Sequence, residues 1–244
     1  METIINRMQN TYSKDGLVLD MSIQKLQETG RDILIDKSRH MNHGMCINET
    51  NIIQTKEGTS TLSFNGVNDY MDCGNDTSLN VGNILSIEVW IRANNLSNRR
   101  ALFSTRKDAD AGSFMLEVGT GNGGANRVAV TSYGVWNLET QSNAISLNFW
   151  YHIVYTKSGT GVGSQKLYIN GISQSLLTDN PQTFADNDAI KLIGSNTGTS
   201  SFFNGLIDEM RIYNRALSAE EVRGNIFASK RYKYMRGVQK CGVR

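Results

Sequence analysis

Apolar residues along this chain recur at every second position, in short runs broken by Gly, Asn, Asp and Ser. The clearest run is residues 86–93, with Ile87, Val89 and Ile91 on one side and Glu88, Trp90 and Arg92 on the other. That alternation is the mark of a half-buried strand. Similar runs predict strands at residues 16–21, 61–64, 70–74, 102–105, 114–118, 127–132, 150–156, 166–169 and 189–194. Asn65-Gly66 and Asn170-Gly171 supply turns that need positive φ, and the second is a strong hairpin signal. A last strand, residues 206–213, is expected to carry Leu206, Asp208, Met210 and Ile212 on one face and Ile207, Glu209, Arg211 and Tyr213 on the other. Beyond it Ser218 and Glu221 have capping-box spacing and start a short helix. Many short strands with almost no helix predict an all-β fold, a two-sheet antiparallel jelly-roll sandwich. It is expected to span residues 15–228, between an N-terminal arm (1–14) and a C-terminal tail (229–244). Residues 36–44 read as a turn-rich loop, and residues 133–137 as another.

At 244 residues the chain suits one large β domain. Its single proline, Pro181, set against 23 glycines, leaves the turns to Gly, Asn and Asp. The net charge of +2 is uneven: the basic residues after 229 leave the rest of the chain at −4. Lys230, Arg231, Lys233, Arg236 and Lys240 are therefore candidates for docking on a partner, although a solvated tail has the same composition. Cys46, Cys73 and Cys241 are too few for a disulfide framework, and Cys73 reads as a small buried hydrophobe. The first residues lack the basic start and apolar core of an export signal. No apolar run reaches the roughly 18 residues of a membrane span.

Several segments, in order, resemble a laminin G-like, concanavalin A-like domain. Residues 62–70 (Leu-Ser-Phe-Asn-Gly-Val-Asn-Asp-Tyr) are similar to one family segment, and residues 87–91 to its Trp-bearing strand. Residues 150–156 and 167–171 are similar to its Trp-to-Asn-Gly hairpin, and Ile193-Gly194 to its following turn. The closing strand with Ile207-Asp208-Glu209 resembles the family's end. The opening Gly16-Leu17-Val18-Leu19-Asp20, with Asp36-Lys37-Ser38, is similar to laminin G-like domains of virion surface proteins, although Lys37 and Arg39 replace the usual small residues.

The resemblance implies three kinds of chemistry to look for. Glycoside hydrolases of this fold carry paired carboxylates, but no strand here holds a Glu-x-Asp-x-x-Glu array. Many relatives hold one structural calcium ion; by resemblance Asp208 would be a ligand, with Asp36, Asn42 or Asp20 supplying others. Against this, Asp208 also reads as a turn cap or an arginine partner, and Lys37 and Arg39 oppose a dication. Glycan binding needs an open ring, and Trp136, with Tyr133, is the candidate. Trp90 and Trp150 match positions that pack the sandwich. Gly119-Thr120-Gly121-Asn122-Gly123-Gly124 fits a dinucleotide pattern only formally, because a strand and not a helix follows it. His40 and His43 lack a third metal ligand, and His152 reads as a hydrogen-bonded wall residue. The sequons at Asn48, Asn75 and Asn95 matter only on a secretory route.

These observations predict a non-catalytic structural or adhesive module. The first expectation is a virion capsid decoration or tail accessory protein, at the virion surface, which docks on neighbouring protein subunits and binds cell-surface glycans. The alternatives are a carbohydrate-binding module of a cell-surface system, placed outside the cell, and a glycoside hydrolase. Neither a specific nucleic acid nor a membrane span is expected.

Overall fold

The computed structural model describes residues 12–28, 31–54, 60–105, 113–121, 124–132, 135–184 and 188–229. In chain order their strands are β1 (Leu17–Glu28), β2 (Arg31–Asp36), β3 (Gly44–Ile47), β4 (Asn51–Gln54), β5 (Ser60–Asn65), β6 (Tyr70–Asp72), β7 (Ile84–Ala93), β8 (Arg100–Ser104) and β9 (Phe114–Gly121). There follow β10 (Gly124–Ser132), β11 (Val135–Thr140), β12 (Trp150–Ser158), β13 (Gln165–Ile169), β14 (Ile172–Ser173), β15 (Leu176–Asp179), β16 (Leu192–Ile193) and β17 (Asn204–Tyr213). One α-helix, α1 (Ala219–Ala228), closes the described chain. No described helix is long and apolar enough to cross a membrane.

The strands form two layers, and every pairing is antiparallel. One layer runs β4–β5–β17–β7–β12–β13–β14, with β1 beside the second half of β17. The other runs β2–β3–β6–β16–β8–β9–β10–β11–β15, and β1–β2 joins the two. Val89, Ile91, Ile153 and Tyr155 of the first layer share one buried core with Leu116, Val118, Val128 and Val130 of the second. This is the sandwich that the alternating pattern predicts.

The departures from the expected pattern have physical causes. In β17 Glu209 has φ of 49°, and the register with β7 shifts between Asp208 and Arg211. This bulge exchanges the two faces, so Ile207, Met210 and Ile212 join the core while Asp208 does not. Trp90 is fully buried, as its match to a packing position implies, but outside the cluster between the layers; it leans on His152, with ring centres 5.1 Å apart, while Trp150 is only half-buried. Residues 135–140 form β11, so Trp136 stands on a strand and not in a loop. Several short pairings, β2 to β4 among them, carry too few alternating residues to be read from the sequence, and the expected strand at 189–194 shrinks to Leu192–Ile193.

Helix α1 starts where the capping box places it: Ser218 Oγ accepts from Glu221 N, and the Glu221 carboxylate accepts from Ser218 N. Val222 and Leu217 pack with Leu17, Val154, Tyr168 and Tyr213 on the outer face of the first layer. Arg215 ties this helix to the start of the chain, donating to Glu221, Ser13 Oγ and the Asp15 carbonyl.

Candidate functional site

Two charged clusters lie outside the core, one on the outer face of each layer. The first is sealed under α1. Arg211 Nη1 lies 2.9 Å from Glu88 Oε1, Arg211 Nη2 2.9 Å from Glu209, and Arg211 Nε 3.4 Å from Asp20. Asn225 of the helix donates to Glu88 at 2.7 Å, and His152 Nε2 lies 3.1 Å from the same carboxylate. Burial alone would raise the Glu88 pKa, but Arg211, His152 and Asn225 outweigh it and hold the carboxyl down at about 2. Tyr12 lies over the Arg211 guanidinium, 4.0 Å from its carbon to the ring centre. With Glu88, Arg211 and His152 all buried, this network fastens helix and strand and offers nothing to a ligand.

The second cluster is built on β9, β10 and β11. Cross-strand register sets Ala101, Glu117, Ala129, Glu139 and Thr178 in one row from β8 to β15. Residues paired across a sheet share a face, so Glu117 and Glu139 flank the small Ala129, with Cα atoms about 10 Å apart at two strand spacings. Leu116, Val118, Val128, Val130 and Leu138 point the other way, into the core.

Two arginines match the two carboxylates. Arg99, from the β7–β8 connection, donates through Nε to Glu117 Oε2 at 2.8 Å and through Nη2 to Thr131 Oγ1 at 2.8 Å. Arg127 pairs with Glu139. The ring of Trp136 gathers both: the guanidinium carbons lie 5.0 Å (Arg99) and 5.3 Å (Arg127) from its centre. Glu117, Arg127, Glu139 and Thr131 are almost wholly buried, whereas Trp136 is half-buried and the Arg99 side chain keeps 39% of its surface exposed. Glu117, Gly119, Thr120, Arg127, Ala129 and Trp136 line a shallow depression at this point.

Glycines let the surrounding backbone close in. Gly119 has φ of 114°, and a Cβ there would stand 2.0 Å from the Asn98 carbonyl oxygen, so the connection bearing Arg99 rests directly on β9. Thr120 fastens the same contact, donating to the carbonyls of Leu96 and Ser97. A Cβ on Gly121 would meet the Arg127 guanidinium and the tip of the Trp136 ring.

Of the residues proposed from sequence, Trp136 sits in this depression, while Tyr133 lies outside the described residues. So do Lys230, Arg231, Lys233, Arg236, Lys240 and Cys241; Cys46 and Cys73 are buried. Arg99, Glu117, Arg127 and Glu139 went unrecognised because their relation crosses strands. The signal was in the hairpin around Gly119–Gly124, which, once paired, places positions 117, 127, 129 and 139 on one face.

The calcium set does not fit the ion. Asp36 Oδ1 accepts the N–H groups of Asp20 and Ser38, each at 2.8 Å, and Oδ2 accepts Asn42 N and Ser38 Oγ at 2.8 and 2.6 Å. Asp20 accepts the Tyr12 hydroxyl and faces Arg211, and Asn42 Nδ2 donates to Val18 O and Ser78 Oγ. Asp208 accepts from Glu209 N. The space between Asp20, Asp36 and Asn42 is thus filled by donors, where a cation needs free oxygen lone pairs. Among the described residues no group of three His, Cys, Asp or Glu side chains could hold a metal. His43 accepts from Asp36 N and His40 is exposed, which suits a surface loop.

The chain belongs to the concanavalin A-like lectin/glucanases superfamily, whose family description matches residues 65–223. Domain 4 of AbnA, a GH43 extracellular arabinanase from Geobacillus stearothermophilus, was solved in complex with arabinotriose. It is similar at 22% identity and TM-score 0.66, over 89% of this chain and 100% of that domain. The binding domain of Paraclostridial Mosquitocidal Protein 1 is similar at 20% identity and TM-score 0.62, over 88% of this chain and 52% of that one. A Trypanosoma rangeli sialidase in complex with the inhibitor DANA is similar at 15% identity and TM-score 0.55, over 87% of this chain and 32% of that one. This chain therefore spans about half of the toxin domain and about a third of the sialidase. At such identities the likeness is one of fold. Curated protein sequences gave no match.

Proposed function

We propose that this chain is a non-catalytic carbohydrate-binding module whose ligand lies against Trp136, in the depression across β9, β10 and β11. The observation that carries this reading is the half-buried Trp136 ring set among two arginines and two glutamates on the outer face of the second layer. An indole offers an apolar surface to the C–H groups of a sugar ring, and fixed donors and acceptors beside it match hydroxyl groups. The arabinotriose bound to the similar arabinanase domain supports the reading.

Catalysis is disfavoured by the same geometry. A glycosidase needs two carboxyl groups open to the scissile bond, one of them supplying a proton. Glu117 and Glu139 are buried, and each faces a guanidinium. Titration calorimetry against a panel of plant and microbial oligosaccharides tests the proposal: the native chain is expected to bind at least one, and Trp136→Ala to lose it. Binding that survives Trp136→Ala, or turnover of an oligosaccharide, would overturn it.

A second reading places the module on a virion capsid or tail, where it would dock on neighbouring subunits. Its support is the opening segment around Gly16–Asp20 and the basic residues after 229, which lie outside the described structure.

A further inference from the structure

Resting on that carbohydrate-binding reading, we infer that the Trp136 site selects an uncharged oligosaccharide and rejects uronic, sialic and sulfated sugars. Among the described residues, the cluster around the depression carries both signs of charge in equal number: Arg99 and Arg127 against Glu117 and Glu139. Each guanidinium is already matched to a carboxylate, with Arg99 held by Nε–H bonds to both Glu117 oxygens at 3.0 and 2.8 Å.

The consequence for a ligand follows from where these charges sit. Glu117, Arg127 and Glu139 are almost wholly buried, so removing one partner from its pair leaves the other charge uncompensated in a poorly solvated place. An anionic sugar at the exposed part of Arg99 would compete with Glu117 for one guanidinium that is already matched. It would also bring its own charge toward that buried carboxylate and toward Glu139. A cationic sugar meets the mirror of this problem at the arginines. A neutral sugar disturbs neither pair. Its hydroxyl groups can accept from the exposed part of Arg99 while the guanidinium stays on Glu117. Its C–H face can lie against Trp136. Discrimination here is negative: the site excludes charge more than it rewards any one hydroxyl pattern.

Three measurements separate the outcomes. Galacto- and galacturono-oligosaccharides of equal length, and cello- and cellobiuronate-type pairs, are titrated into the full chain. The expected result is that, in any pair that binds, the neutral member binds at least about tenfold more tightly, the scale of a charge mismatch at an interface. Its affinity should stay flat between low and high NaCl, since no net charge is neutralised on binding. The variant E117Q, which releases Arg99 from its carboxylate, should narrow or reverse the preference. Tighter binding of the acidic member to the native chain, or affinity falling steeply with salt, overturns the inference and leaves the carbohydrate reading standing. Failure of every oligosaccharide to bind, or binding unaffected by Trp136→Ala, overturns both. Should E117Q not fold, the salt series on the native chain decides alone.

Discussion

The guanidinium of Arg99 sits 5.0 Å from the centre of the Trp136 ring while the same group is bonded to Glu117. One flexible side chain from a connecting segment thus ties the ring of β11 to the carboxylate of β9. Arg99→Ala removes that tie. Although the Arg99 side chain is more than a third exposed, its removal leaves the buried Glu117 carboxylate without that guanidinium, and the variant should lose about 1–3 kcal/mol. Oligosaccharide affinity should fall by about tenfold as Trp136 loses its partner. Chemical denaturation and calorimetry on one preparation check both halves of the expectation.

Gly119→Ala probes the same site from the backbone. The added methyl would stand 2.0 Å from the Asn98 carbonyl, at a φ of 114° that side chains avoid. The Arg99 segment must then lift from β9. A loss of about 2 kcal/mol or more is expected, with a change in Trp136 fluorescence; an unchanged melt would show that this close approach does not exist.

Glu88 gives the fold an acid limit. Its pKa of about 2 in the native state lies below the ordinary 4.5, so the unfolded chain takes up a proton that the folded chain refuses. The resulting stability is complete above about pH 4.5 and is lost as pH falls toward 2. Glu88→Gln removes this slope and leaves Arg211 short of its main partner under α1, at a cost of about 3–5 kcal/mol near neutral pH. Urea melts at pH 7, 4 and 3 on both proteins measure the slope. Parallel curves would contradict the account.

Metal removal should change nothing. The Asp36 oxygens are occupied by N–H and O–H donors, so EDTA and millimolar Ca²⁺ are expected to leave the melting temperature the same. A rise of several degrees with calcium would show that these donors move aside for the ion.

Much of the sandwich was readable in the sequence because alternation survives wherever a strand is regular. Ile87, Val89 and Ile91 faced inward as their spacing required, and Ser218 with Glu221 marked the helix start. Reading failed at Glu209, where one residue in a left-handed conformation exchanges the faces of β17, and no apolar pattern announces a bulge. It failed again for Trp150, which matches a packing position but stays half-buried at the start of β12. At the candidate site Trp136 stood out as a lone aromatic. Its neighbours did not, because Glu117 and Glu139 become a pair only through β10, and strand register is not written in either strand alone.

The most direct test is amide and indole chemical-shift mapping during titration of a neutral oligosaccharide that binds. The account predicts shifts concentrated on the Trp136 indole, Arg99, Thr120, Arg127 and Thr131, with the opposite layer around Glu88 and Arg211 silent. Shifts confined to another surface, with the Trp136 indole unmoved at saturation, would contradict it.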